Sequence, residues 1–367
     1  MKKTLLIALG IAILAIIAYG VSKNKPVEVR DNTTIKIGAV LGLTGSAATD
    51  SLNVKRGLDL AQEDLAVKGI KVEINYQDGK DDPKETISAL QFLIATDRPQ
   101  AIVGPIWGYL EDAAGPVIAT NKIVAYAPAD TSEFVSARSP YNFRGAPRNA
   151  LIEQPTADWL KANKKTRVAI VVSNDGWGKS VAAPFRAAAK NAGASVVVDE
   201  AIQPFSANAG TIVASILTKA KNEKVDVILW TGYEPDVVAL AKKRIQFGLV
   251  DVPVIDSGTI WSSLLSRGAI STAETKNVYF IAVPTTPEFI AKFKAKYGEE
   301  PSSYADRAYD GLMILVDAIQ KAPVKDGDSI AKYMRENTHY QGYGGLYEFN
   351  ENGDVKGGEW VIKPVAE

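Results

Sequence analysis

The chain has 367 residues, enough for two lobes that each bury a core of their own. Its 42 Lys and Arg balance 42 Asp and Glu, and no basic run is interleaved with aromatics, which argues against a nucleic-acid partner. Cysteine is absent, which excludes disulfides, thiol catalysis, thiolate metal sites and a lipid attached through a cysteine.

Lys2 and Lys3 precede an uncharged apolar stretch, residues 4–21, which is followed by Ser22, Lys23, Asn24, Lys25 and Pro26. Positive charge followed by an apolar run is the layout of an export signal, and Ala18 and Gly20 offer small residues for cleavage after Gly20. About 18 residues rising ~1.5 Å each also reach ~27 Å, enough to cross a bilayer as an uncleaved anchor. Residues 1–26 therefore read as a signal-anchor or signal peptide and 27–34 as a polar linker, with the rest of the chain outside the cytoplasm.

From Ile35 the chain alternates strand and helix. A strand at 35–41 leads through a small-residue loop to a helix at 53–67. The alternating segment 72–77 predicts a strand, and Pro83 opens a helix to about residue 95. A short buried strand at 101–104, a helix at 110–120 and a strand at 123–125 complete this run. After a linking helix at 152–162 the order begins again: strand 167–172, helix 179–192 with Gly193 as its cap, strand 196–199, helix 211–222, strand 226–230, helix 235–247 and strand 252–255. A strand at 278–282 follows.

Helices of this length between strands imply right-handed crossovers and parallel sheets covered on both faces. The tail departs from the pattern, with helices at 287–297, 304–321 and 329–337 and an expected hairpin of 344–349 with 359–363 across Asn352-Gly353. The fold class is thus α/β: two doubly wound parallel-sheet lobes joined by a hinge that the chain crosses several times. The expected division gives 35–150 and 284–338 to the first lobe, and 151–283 and 339–365 to the second.

Catalytic chemistry is thinly supplied. The lone His339 has no G-x-S-x-G nucleophile elbow to serve, there is no phosphate loop, and Gly38, Gly42 and Gly45 do not have the G-x-G-x-x-G spacing. Asp78, Asp81, Asp82 and Glu85 lack the order of a calcium loop; Asp82-Pro83 with Glu85 fits a capped helix start instead. No metal, no cofactor and no enzymatic activity is expected.

Ligands of open α/β sheets bind outside the carboxyl ends of the strands. That rule selects residues 104–109 and 127–131 in the first lobe, and 175–178, 231–234 and 256–258 in the second. Trp107, Tyr109, Trp177 and Tyr233 stand at loop tips, where they are better placed as ligand walls than as core.

In these residues the chain resembles the extracytoplasmic substrate-binding proteins of branched-chain amino acid ABC transporters, the leucine/isoleucine/valine-binding family with the type I periplasmic-binding fold. The resemblance runs from about Ile35 to Lys363. It rests on the order and spacing of the segments at 35–45, Asp78 with Asp82-Pro83, 102–105, 127–131, 168–172, Tyr233-Glu234-Pro235 and Tyr309-Asp310-Gly311. The resemblance implies an amino acid held between closing lobes, with its carboxylate on Trp107, Gly108, Tyr109, Ala129 and Thr131. It implies further that Tyr233 meets the ammonium group and that Trp177 forms an aromatic wall.

Two departures bear on the ligand. Where the family has serines in the 107–109 loop, this chain has Trp107, Gly108 and Tyr109. Where the family has the acid that pairs the ammonium, this chain has Ser257, with Asp256 one place before it. An amino acid is the expected ligand, with Asp256 as the candidate acid; without that acid, a small carboxylate, an amide or a urea-like compound is the alternative. The expected partners are this small molecule, an ABC permease and the membrane through the N-terminal segment. A membrane-anchored ligand sensor of the same fold is the alternative role.

Overall fold

In the computed structural model of the protein, residues 34–45, 48–133, 139–301 and 304–365 are described. The expected signal or anchor at 1–26 and all but the last residue of the linker lie outside them. Among the described residues no helix is long and apolar enough to cross a membrane.

The first lobe is a five-stranded parallel sheet in the order β2-β1-β3-β4-β5, formed by β1 (Ile35–Leu41), β2 (Val72–Asp78), β3 (Ala101–Val103), β4 (Val124–Ala127) and β5 (Asn142–Arg144). Strand β1 is buried at every residue but Lys36, which is why it reads as one apolar run: helices cover both of its faces. Helix α1 (Ala48–Val67) turns Val54, Leu58, Ala61 and Leu65 inward at helical spacing. Helix α2 (Pro83–Thr96) starts as expected, with the Asp82 carboxylate accepting from the N–H groups of Lys84 and Glu85. Helix α3 (Gly108–Asn121) follows β3.

The second lobe repeats this order. Its sheet runs β13-β10-β9-β8-β6-β7, from β6 (Arg167–Ser173), β7 (Ser195–Ile202), β8 (Val227–Thr231), β9 (Val254–Asp256), β10 (Val278–Ala282) and β13 (Val361–Pro364). All neighbours are parallel except β13, which runs antiparallel to β10. Helices α4 (Glu153–Ala162), α5 (Gly176–Asn191), α6 (Ala209–Asn222), α7 (Glu234–Gln246) and the short α8 (Ile260–Ser266) surround it. In each lobe the strand order reverses beside the first strand, between β1 and β3 and between β6 and β8. Those are the points where an open α/β sheet leaves a crevice.

The tail returns to the first lobe. Helices α9 (Pro287–Tyr297), α10 (Ala305–Lys321) and α11 (Gly327–Asn337) cover its sheet, and Phe289, Leu312, Leu315 and Met334 are fully buried there. Helix α10 crosses α1 at Gly57, where a Cβ would stand 2.0 Å from the Ala305 carbonyl oxygen, so only glycine permits this approach.

The expected hairpin of 344–349 with 359–363 is not formed. Instead β11 (Tyr340–Gly342) pairs with β12 (Gly345–Tyr347), Phe349 bridges Val355 across the Asn352-Gly353 turn, and 361–364 joins the second sheet. The division of the tail changes with it. Tyr347, Phe349 and Val355 lie in the first lobe's core, not the second's, and only from Trp360 does the chain pack against the second lobe.

Among the described residues the chain therefore crosses between lobes three times, at 145–151, 283–286 and 356–359. Buried polar contacts tie the crossings together. The Arg144 guanidinium donates to Asp354 at 2.6 and 2.9 Å, and the Trp360 indole donates to the Arg148 carbonyl at 3.1 Å. Arg307 pairs with Asp306 at 2.9 Å and donates to the Pro284 carbonyl at 3.3 Å.

Candidate functional site

A cleft of about 780 Å³ lies between the lobes, lined by the loops that leave the carboxyl ends of the strands of both sheets. From the first lobe come the loop after β3 and the first turn of α3. Gly104 allows that loop to begin: with φ 86° it passes so close to β1 that a Cβ would sit 2.3 Å from the Val40 carbonyl oxygen. Trp107 is the N-cap of α3 and makes no side-chain cap, so the first-turn N–H groups at Gly108 and Tyr109 have no side-chain acceptor and border the cleft. Such a helix start suits a carboxylate.

The loop after β4 supplies Ala129 and Thr131. It is held from behind: Asp130 accepts from the Ser132 N–H at 3.0 Å and the Ser132 hydroxyl at 2.5 Å, and the Arg144 guanidinium bonds the Ser132 carbonyl. The Thr131 carbonyl accepts from the Asn149 N–H at 2.9 Å, which ties this wall to the first hinge crossing.

The second lobe supplies Trp177, Phe205, Tyr233 and Ser257. Asp175 caps helix α5 by accepting from the Gly178 N–H at 2.9 Å, and its other oxygen accepts from the Tyr233 hydroxyl at 2.7 Å. Tyr233 packs edge-on to Trp177, with ring centroids 5.4 Å apart, and lies 4.4 Å from Phe205. Burial, then the hydrogen bond to Asp175, pushes the Tyr233 phenol far above its ordinary range. The group therefore remains protonated and keeps its oxygen lone pairs as acceptors toward the cleft. Tyr109 is likewise pushed up, by burial and by the negative charge of Asp81, and its hydroxyl donates to the Asp81 carbonyl at 3.1 Å.

Eight of the nine expected site residues line this one cleft: Trp107, Gly108, Tyr109, Ala129, Thr131, Trp177, Tyr233 and Ser257. Asp256 does not. It is completely buried beneath the second lobe's surface, where one oxygen accepts from the Gly258 N–H at 2.8 Å and the other from the Trp261 indole at 2.7 Å. Strand β9 ends at this residue, and alternation along the strand turns Asp256 inward and Ser257 outward. Burial pushes the Asp256 carboxyl up to about 7, opposed by those two hydrogen bonds. The Ser257 hydroxyl meets the Thr231 hydroxyl at 2.8 Å.

The sequence reading missed Asp50, Phe205 and Tyr304, which also line the cleft. Asp50 stands just beyond the carboxyl end of β1, so the rule that selected the other loops applied to it as well. Tyr304 forms the same wall as Trp107, ring centroids 6.4 Å apart, and holds a left-handed backbone with φ 74°, a strained conformation for a bulky residue. It reaches the cleft only because α10 returns to the first lobe. His339 is exposed and pairs with Glu348 at 2.7 Å, away from the cleft lining.

With this geometry the comparisons with known proteins agree. Residues 34–360 match the family described as periplasmic binding protein. The Leu/Ile/Val-binding protein BraC3 of Rhizobium johnstonii is 25% identical over 330 residues, covering 88% of this chain and 89% of its own. The Leu/Ile/Val-binding protein homolog 2 of Brucella abortus is 24% identical over 371 residues, covering 99% and 96%. The branched-chain amino acid transporter substrate-binding protein LivJ of Streptococcus pneumoniae, solved with isoleucine, superposes with a TM-score of 0.78 at 22% identity, over 90% of this chain and all of that one. A solute-binding protein of an ABC transporter from Rhodopseudomonas palustris, solved with 3,4-dihydroxybenzoic acid, gives 0.75 at 21% identity, over 91% and 98%.

Proposed function

This chain belongs to the periplasmic binding protein family, whose members are extracytoplasmic binding proteins and not enzymes, and we propose that it captures an amino acid between its lobes for an ABC importer. The observation that carries this reading is the cleft itself. It is walled from both lobes by loops at strand carboxyl ends, with bare helix N–H groups on one side and an aromatic cluster on the other. The N–H groups at Gly108 and Tyr109, with the Thr131 hydroxyl and the Ala129 backbone, receive the ligand carboxylate. The Tyr233 oxygen accepts from its ammonium group, and Trp177 and Phe205 cover its side chain.

Closure follows from the placement of these groups. The carboxylate partners sit on the first lobe and the aromatic partners on the second, so a ligand gains both sets only when the lobes are together. The closed form is then favoured by the difference in ligand affinity between the two states. The three crossings, tied by Arg144–Asp354 and Asp306–Arg307, form the hinge.

The lysine pair and uncharged run at 2–21 support an N-terminal signal or anchor that places the protein on the outer face of the membrane beside its permease. A thermal-shift screen of the purified protein against the twenty amino acids tests the reading, because a ligand that binds the native state raises the melting temperature by mass action. A shift with one chemical group of amino acids is expected. Flat melting curves across all twenty would overturn the amino-acid assignment.

A further inference from the structure

With Asp256 turned away, the cleft still carries an excess of negative charge. Five carboxylates line it, those of Asp50, Asp112, Glu133, Asp175 and Glu234, against two cations, Lys179 and Arg267. Most of these acids are engaged within the protein. Glu133 accepts from the Ala150 N–H at 2.6 Å and faces Arg148 at 3.6 Å, Asp175 caps a helix and holds Tyr233, and Glu234 pairs with Arg267 at 2.7 Å. Asp50 differs: half-buried at the cleft, its carboxylate makes no hydrogen bond and no ion pair among the described residues.

Asp50 lies in the first turn of α1, in the same wall as the Trp107–Tyr304 aromatic pair, and its charge acts on the Tyr304 phenol. It also feels Asp81 beside it and Arg267 from the opposite lobe. A carboxylate drawn out of water beside a second acid is costly unless a positive partner arrives. Burial, reinforced by Asp81, does push its carboxyl up to about 6. An acid in a first helical turn also complements the helix dipole. That role is met by any orientation along the turn and does not require the group to border a ligand cleft.

We propose that Asp50 is the carboxylate that receives a cationic nitrogen of the ligand, in the place that Asp256 cannot fill. The ligand is then a compound with a carboxylate at the Gly108–Thr131 side and an ammonium or guanidinium group against Asp50 and the Trp107–Tyr304 wall, where an aromatic ring face also favours a cation. The inference rests on the reading of this cleft as an amino-acid site, and it adds the residue that selects charge.

The test is calorimetric titration of the full-length protein and of its Asp50→Asn and Asp50→Glu variants with arginine, lysine, leucine and 3,4-dihydroxybenzoate, with melting temperatures of the unliganded proteins alongside. Asp50→Asn should weaken the bound amino acid about tenfold or more, as for a lost charge-assisted contact, while Asp50→Glu retains part of the affinity and the unliganded melting temperature stays put. A loss confined to arginine and lysine places a side-chain cation at Asp50, and an equal loss for leucine places the α-ammonium there; both support the proposal. Affinities within about twofold of wild type in Asp50→Asn would overturn the Asp50 assignment and leave the amino-acid reading standing. Binding of dihydroxybenzoate by a wild-type protein that binds none of the three amino acids would overturn both.

Discussion

The Asp175 carboxylate joins two jobs at the mouth of the second lobe: one oxygen caps helix α5 and the other, 2.7 Å from the Tyr233 hydroxyl, fixes that ring against the cleft. Through this contact the start of a helix after β6 sets the orientation of a residue after β8. The two loops flank the crevice at which the strand order reverses, so a local cap becomes a device for positioning a ligand wall.

Replacing Tyr233 by Phe removes the hydroxyl and keeps the ring. The variant should fold normally and bind ligand about tenfold more weakly, the cost of losing an oriented polar contact in a half-buried site. Titration calorimetry decides the matter: unchanged affinity would mean that Tyr233 serves only as packing.

Asp256→Asn separates the buried acid from the cleft. The amide can still accept from one donor, and the site lies beneath Ser257, so ligand affinity should stay within about twofold of wild type. A large loss of affinity in this variant would return Asp256 to the site.

The same residue predicts how stability varies with pH. Burial raises Asp256 and Asp310 to about 7 and Asp236 to about 6. Folded values above the unfolded one mean that the folded state holds extra protons. This contribution is fully present below the unfolded value of about 3.9 and is lost as pH rises through 6 to 7. Asp64 and Asp78 act in the opposite sense. Burial raises them but is outweighed by hydrogen bonds, from Lys292 and Tyr309 to Asp64 and from Thr44 and the Lys80 amide to Asp78, so their contribution is lost only in stronger acid. A melting temperature higher at about pH 5.5 than at about pH 8, by roughly 2–4 °C, is expected, and Asp256→Asn should flatten part of that slope.

Arg144 supports the Ser132 carbonyl behind the Ala129–Thr131 wall and pairs with Asp354 in full burial. Arg144→Met leaves Asp354 as an uncompensated buried charge and should destabilise the fold by about 3–5 kcal/mol. Adding Asp354→Leu should recover most of that loss. Denaturant titration of the two variants measures the difference, and a double variant as unstable as the single one would contradict the pairing argument.

Much of this organisation was legible in the chain. The buried parallel strands read as continuous apolar runs because both faces are covered, and the Asp82-Pro83 helix start carried its own local chemistry. Loop tips at strand ends follow from the strand-end rule, and eight of the residues it selects line the cleft. What failed depended on distant partners. Nothing local in residues 344–363 says that 361–364 will add to β10 and not to the segment just before it. Asp256 and Ser257 were adjacent candidates, and which one faced the cleft was decided by where β9 ends, a matter of one residue that reverses the side chain's direction. Tyr304 joins the ligand wall only through the docking of α10 on α1 at Gly57, whereas Asp50, just beyond the carboxyl end of β1, lies within reach of the strand-end rule.

The central claim is that one small ligand is held by both lobes at once. Titration calorimetry of the full-length wild type with the amino acid identified by thermal shift, alongside Thr131→Ala from the first lobe and Tyr233→Ala from the second, tests it most directly. The account predicts one ligand per chain in the wild type and a loss of affinity of about tenfold or more in each variant, with unliganded melting temperatures little changed. Wild-type affinity retained in both variants would contradict it.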